Sequence, residues 1–457
     1  MYDILIKNAQ LRRKAGLWNI AIEKGIVQKI TKKPVRGKAG KVIDAGGNLV
    51  TESFVNTHLH LCKVYTLEMM DSLALRAYHG ADMGGAMTAI ELAARVKANY
   101  NEKWILPNVR KALKLAAING NLHIRAFADV DSKAKLIGLK ALLKARNEFK
   151  GIVDVQVVAF PQDGVVREPG TVDLMKEAMD LGADVVGGIP WIEFTEKDEQ
   201  THIDEMMKLA VGYNKDISML VDDAGDATLK TLEMLAVRTL EEGRVGRSLA
   251  HHARAMCLYP TPYFKKIAAL LRQAGMGVVS DPHTGPLHAR VKELLEEGNL
   301  VCLGQDDISD AYYPYGQNNM LEVAFLASHL LWMTTYPEME TLYDLVTVNP
   351  AKCINLPKFE LKEKANANLV VLDAKSVCEA FRYHKAPLHV ISHGKLIKAA
   401  DLRGGAAAPG APPGLSPPVG FFAPPTEIPG NRYADFIKPA FAPPPPRRQI
   451  GRSSFLV

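Results

Sequence analysis

Between about residues 50 and 350, short apolar runs alternate with longer amphipathic stretches. The apolar runs fall near 53–58, 122–128, 154–160, 183–189, 217–222, 247–252, 276–281 and 299–304. Helical text separates several of them, at 135–148, 170–181, 227–242 and 263–274. Apolar strands joined by amphipathic helices form parallel sheets, because each crossover needs a helix to return the chain to the same edge. Eight such units in about 300 residues suit a (β/α)8 TIM barrel.

The flanks read differently. Asn19–Glu23 and Ile26–Ile30 form a predicted hairpin turning at Gly25, and Lys41–Asp44 is a further strand before a glycine turn. Short-strand text returns after residue 351, at Asn368–Asp373 and Val390–Ile397. The expected organisation is a small β-sandwich built from 1–50 and 351–400, around a distorted barrel at 51–350. Residues 401–457 hold 13 of the 27 prolines and form a Pro-rich tail unable to build regular helix or sheet. Its aromatics, including Phe421, Phe422, Tyr433 and Phe436, make it a candidate subunit contact.

The 56 Lys and Arg residues stand against 50 Asp and Glu and form no basic stripe, so a nucleic-acid partner is not expected. Five cysteines, an odd number without a CxxC pair, argue for a reducing compartment. The opening MYDILIKNAQ lacks the apolar core of a signal peptide. No run approaches the roughly 18 apolar residues of a membrane span. A cytoplasmic homo-oligomer acting on a small molecule is therefore expected, with no membrane partner.

Chemistry concentrates at the ends of the predicted strands. In Val55-Asn56-Thr57-His58-Leu59-His60, the two histidines lie two residues apart and share a strand face. At the mouth of a barrel, two such imidazoles suit a divalent transition metal. Asp306 follows the eighth strand, which neighbours the first in a closed barrel, so its carboxylate could reach the same ion and take a proton from activated water. His251 and His252 end the sixth strand; by alternation, at most one readily enters the pocket.

The segments FVNTHLHLCKVYTL, VDVQVVAFPQDGV, LGADVVGGIPWIEFT, MLVDDAGDATLKTLE, AHHARAM and CLGQDDISDAYYPYGQNNML occur in that order. Together they make residues 2–400 resemble the amidohydrolase superfamily, in its cytosine deaminase and N-isopropylammelide hydrolase-like branch. The resemblance implies one divalent metal ion (zinc, iron, cobalt or manganese) held by His58, His60 and Asp306. It implies that His252 lies against the activated water and that Gln162 contacts substrate. Asp307 also belongs to the family's site, and Tyr312 is placed with the substrate-binding residues.

The chain departs from the pattern on its fifth strand. Leu220 stands where the family has a metal-binding histidine, and Asp223 where it has a proton-shuttling glutamate. Trp191, Phe127 and Gln305 replace further histidines of relatives. A pocket altered this way suits a more apolar substrate than cytosine. Val186-Gly187-Gly188-Ile189 offers no lysine to carbamylate, which favours a single metal ion. Three outcomes stay open for the vacant ligand place: His252 moves in, His283 moves in, or metal binding is weak or absent. Cys62 reads as a packing thiol.

The expected activity is metal-dependent hydrolysis of a C–N bond in a small, fairly apolar amide, carbamate-like compound or cyclic amidine. Asp306, His252 and Asp223 are the expected catalytic residues, with His58, His60, His252 and Asp306 as metal ligands and Gln162, Trp191, Asp307 and Tyr312 for substrate. The alternatives are a cytosine- or isocytosine-type deaminase, and a metal-free binding protein or scaffold.

Overall fold

A computed structural model describes residues 1–69, 94–398 and 402. The Pro-rich tail, and with it the expected subunit contact, otherwise lies outside the described residues.

Eight parallel strands form the central sheet: β6 (Phe54–Leu59), β7 (Asn121–Asp129), β8 (Asp154–Phe160), β9 (Val185–Gly188), β10 (Asp216–Val221), β11 (Ser248–His252), β12 (Gly277–Ser280) and β13 (Val301–Leu303). Each pairs with its sequence neighbour, and a bridge between Leu59 and Asp306 joins the first barrel strand to the end of the eighth. Helices α1 (Glu102–Ile118), α2 (Ile137–Glu148), α3 (Thr171–Asp180), α4 (Glu196–Gly212), α5 (Thr231–Glu241), α6 (Thr261–Gln273) and α7 (Val291–Glu296) return the chain between strands. The expected (β/α)8 barrel is thus present, with strand ends shifted by one or two residues. Its strands read as apolar runs because both faces are covered: every residue of β7 is buried.

Local chemistry sets the helix starts. Asn101 accepts the backbone N–H of Lys103 at the head of α1, and Thr195 accepts that of Asp198 at the head of α4. Glu196, Asp198 and Glu199 then place negative charge at the positive end of α4. After β13 come α8 (Met320–Leu330), α9 (Tyr336–Asp344) and α10 (Val348–Cys353), with a Thr335–Glu338 capping box before α9.

Both ends of the chain supply the flanking sheets. One has the order β3-β2-β1-β4, from β1 (Tyr2–Leu11), β2 (Lys14–Glu23), β3 (Ile26–Thr31) and β4 (Ala39–Asp44). The expected hairpin turns at Gly25, where φ is 76°. The other has the order β16-β15-β14-β5, from β5 (Val50–Glu52), β14 (Leu369–Val371), β15 (His389–Ser392) and β16 (Lys395–Leu396). Ile4, Ile6, Ile20, Val50, Leu369 and Ile391 share one core between them. The expected changeover at residue 51 falls inside β5, which pairs with β14 through Glu52. A helix not anticipated from sequence, α11 (Val377–Tyr383), links β14 to β15. No helix among the described residues is long and apolar enough to cross a membrane.

The barrel meets the β14 sheet at Gly120, in the turn between α1 and β7. Its φ is 71°, and a Cβ there would collide with Val370 Cγ1. Gly120→Ala combines a left-handed backbone with overpacking, so it should destabilise the protein by about 2–4 kcal/mol. The check is a lower denaturant midpoint at unchanged m-value.

Candidate metal centre and active site

The barrel interior is layered. On β7, Arg125 donates to Gln156 of β8 (3.0 Å) and Ser218 of β10 (2.9 Å), which accounts for a guanidinium only 1% exposed. One pleat closer to the mouth, Phe127 stacks on His58 with ring centroids 4.5 Å apart. His58 Nδ1 lies 2.6 Å from His251 Nδ1, which fixes the ring from behind and leaves Nε2 facing the mouth.

Three buried donor atoms converge there. His58 Nε2 is 3.2 Å from His60 Nε2 and 3.2 Å from Asp306 Oδ1, and His60 Nε2 is 3.7 Å from Asp306 Oδ1. Ligands about 2 Å from a tetrahedral ion stand roughly 3.3 Å from one another. A single proton cannot bond all three atoms at once, whereas a cation can. The protonation states also match: burial holds the His60 and His252 imidazoles well below their ordinary pKa, leaving neutral rings. Burial alone would raise the Asp306 carboxyl, but His252, His58 and His60 hold it well below the carboxylate range. The residues therefore fit a divalent ion.

His252 arrives by an unusual route. Strand register sets His251 beside Leu220, so alternation points His251 inward and His252 away. His252 and Ala253 then adopt left-handed backbone, with φ of 65° and 48°, and the turn carries the His252 ring over the rim. Its Nε2 lies 3.8 Å from Asp306 Oδ1 and 3.9 Å from Asp223 Oδ2. Of the two histidines, His252 lines the cavity. Yet His251 also reaches the site, from below, through His58. His283 lies outside the donor cluster, with Nε2 placed 3.1 Å from the Gln305 carbonyl.

A small cavity opens over these donors, lined by His60, His252, Asp306, Asp307, Asp223 and Gln162 on its polar side. Ile189, Trp191, Leu220 and Tyr312 complete it. The apolar members continue into a cluster with Phe127, Phe160 and Ile192. His58, His60, His252 and Asp306 thus come from β6 and the ends of β11 and β13, and most of the wall from the arc β7–β10, which also carries Gln162 and Asp223. A buried strut supports that wall: the Ile189 N–H donates to His202 Nε2 (3.0 Å), and His202 Nδ1 meets Glu193 Oε1 at 2.7 Å.

Several groups at the site carry no motif in the sequence. Arg254, 2% exposed, pairs with Asp223 at 2.8 Å and donates to Thr284 (2.6 Å). Burial pushes the Asp223 carboxyl up to about 7 against the pull of that guanidinium. Lys63 donates to Gln162 Oε1 (2.8 Å) and lies 3.6 Å from Asp129, with its ammonium 5.0 Å from the centre of the Tyr312 ring. Burial and the neighbouring Asp306 and Asp310 raise the Asp307 carboxyl well above its ordinary value. Asp281, at the end of β12, is 2% exposed and faces His252. Its signal was positional: an aspartate just past a barrel strand, as Asp306 is. Cys62 is a packing thiol, 1% exposed and pushed up to about 12 by burial.

The amidohydrolase family model matches residues 41–397. The chain is 30% identical over 400 residues to N-isopropylammelide isopropyl amidohydrolase of Pseudomonas sp. (strain ADP), covering 87% of this chain and 97% of that protein. It superposes on 5-methylcytosine deaminase from Klebsiella pneumoniae with a TM-score of 0.79 at 31% identity, covering 86% of this chain and 98% of that one. N-isopropylammelide isopropylaminohydrolase from Burkholderia multivorans shares the fold at a TM-score of 0.72 and 24% identity, over 87% and 98% of the two chains. With the match running from β4 to the closing strands of the second sheet, the chain belongs to the amidohydrolase family, whose members are typically metal-dependent, and is an enzyme acting on C–N bonds.

Proposed function

We propose that this enzyme hydrolyses a C–N bond on a small nitrogen heterocycle bearing an apolar substituent. His58, His60, His252 and Asp306 would hold one divalent ion. The observation that carries the reading is a buried donor cluster facing a continuous apolar wall across one cavity. Similarity to proteins named for N-isopropylammelide and 5-methylcytosine supports the ring. Leu220, Trp191 and Ile189 argue for the substituent, since an apolar wall gains by burying alkyl surface and loses by desolvating a polar edge.

When bound, the ion supplies Lewis-acid activation of water. Asp306, the ionised carboxyl of the site, takes a proton from the attacking water. Asp223 holds a proton near neutral pH and passes it to the leaving nitrogen, with Arg254 fixing its carboxyl. Lys63 occupies Gln162 Oε1, so the amide Nε2 is the atom offered to a substrate carbonyl or ring nitrogen. Trp191 and Leu220 pack the substituent and exclude water.

A second reading is a cytosine-type deaminase, favoured by the Klebsiella likeness and by the carboxylate kept at Asp223. The released nitrogen separates the two: an N-alkylamino heterocycle yields alkylamine, whereas cytosine yields ammonia. Preferential turnover of cytosine would favour the second reading.

Elemental analysis of protein purified without chelator should find metal in the wild type and lose it in His58→Ala. Equal metal content in both would overturn the centre. Asp223→Asn should keep its metal while kcat falls by about 10²–10⁴, the usual worth of a positioned proton donor. Gly304→Ala should lose metal while folded, because a Cβ at 304 would collide with Asp281 and come 2.7 Å from His58 Cβ.

A further inference from the structure

Asp281 and His252 face one another as two unmet groups. Neither oxygen of the Asp281 carboxyl has a hydrogen-bond partner among the described residues, and neither does His252 Nδ1. Oδ2 and Nδ1 stand 3.4 Å apart, a few tenths beyond a closed hydrogen bond. Leaving a buried carboxyl and a buried ring nitrogen unpaired is costly, and a small rotation of either side chain satisfies both. The space for Asp281 is provided by Gly304, where a Cβ would collide with Oδ1. On the far side of the His252 ring, Nε2 faces Asp306 and Asp223.

We propose that Asp281 is the positioning residue for His252. By accepting the Nδ1–H it selects the tautomer whose Nε2 lone pair is free toward Asp306, the carboxylate that His58 and His60 also approach. It thereby makes His252 the ligand that replaces the one lost at Leu220. The proposal rests on the metal centre of the preceding section. Its physical basis is general: a ligating imidazole needs an acceptor on its other nitrogen to hold its tautomer and orientation. The left-handed turn at His252 delivers the ring but sets neither its rotation nor its proton, and Asp281 is the acceptor beside its Nδ1.

The test is zinc affinity of the full chain, stripped and titrated against a chromogenic chelator, with thermal melts of the metal-free forms as a control for folding. Asp281→Ala should weaken zinc binding about 10–100-fold. Asp281→Asn, which keeps an acceptor oxygen in place, should retain most of the affinity. His252→Ala should lose at least as much as Asp281→Ala, and Asp281→Ala on the His252→Ala background should lose nothing further, because a residue acting only through another is non-additive with it. Wild-type affinity in Asp281→Ala, alongside a loss in His252→Ala, would overturn the role of Asp281 and leave the metal centre standing. Wild-type affinity in His252→Ala would overturn the ligand reading beneath it. Equal losses in Asp281→Asn and Asp281→Ala would make Asp281 a direct ligand and also overturn positioning. If Asp281→Ala does not fold, Asp281→Asn in the wild-type and His252→Ala backgrounds decides: a further loss in the second background overturns the proposal.

Discussion

Two backbone hydrogen bonds hold the molecule's geometry together at its working end. The Asp306 N–H donates to the His58 carbonyl at 2.9 Å, and the His60 N–H donates to the Asp306 carbonyl at 2.8 Å. They join the first strand of the barrel to the end of the last. They also set the three donor side chains at fixed spacing, because the bonded residues are the donors themselves. Asp306 takes φ of 64° to do so, a conformation that a non-glycine residue keeps only where its surroundings hold it. Closure of the fold and assembly of the site are here one event.

Charge in the cavity follows from crowding. Asp223, Asp281, Asp306, Asp307 and Asp310 are all buried within one region, and they cannot all ionise there. His252, His58 and His60 concentrate the negative charge on Asp306, while burial raises the other four. Environments that push neighbouring carboxyls apart in pKa separate a base from an acid without any difference in residue type.

The barrel was legible in the sequence because its strands are buried on both faces and its helices on one, so hydrophobic rhythm reports the topology directly. The paired histidines and Asp306 were legible because strand alternation and barrel closure are simple geometry. His252 was reached through the resemblance: alternation alone favours His251, and only the left-handed turn reverses that. Arg254, Lys63 and Asp281 escaped because a buried charge is identified by its partners. Asp223, Gln162 and His252 lie 31, 99 and 29 residues away from them in the chain. The β5 pairing escaped for a similar reason, since three residues carry no usable period.

The apolar wall and the polar donors occupy opposite arcs of one barrel, and the wall has its own buried support in the His202–Glu193 pair. Substitutions along β7–β10 can therefore reshape what the cavity accepts while the donors on β6 and at the ends of β11 and β13 keep their spacing. Such a division leaves the shape of the apolar wall and the spacing of the His58, His60 and Asp306 donors to different parts of one barrel.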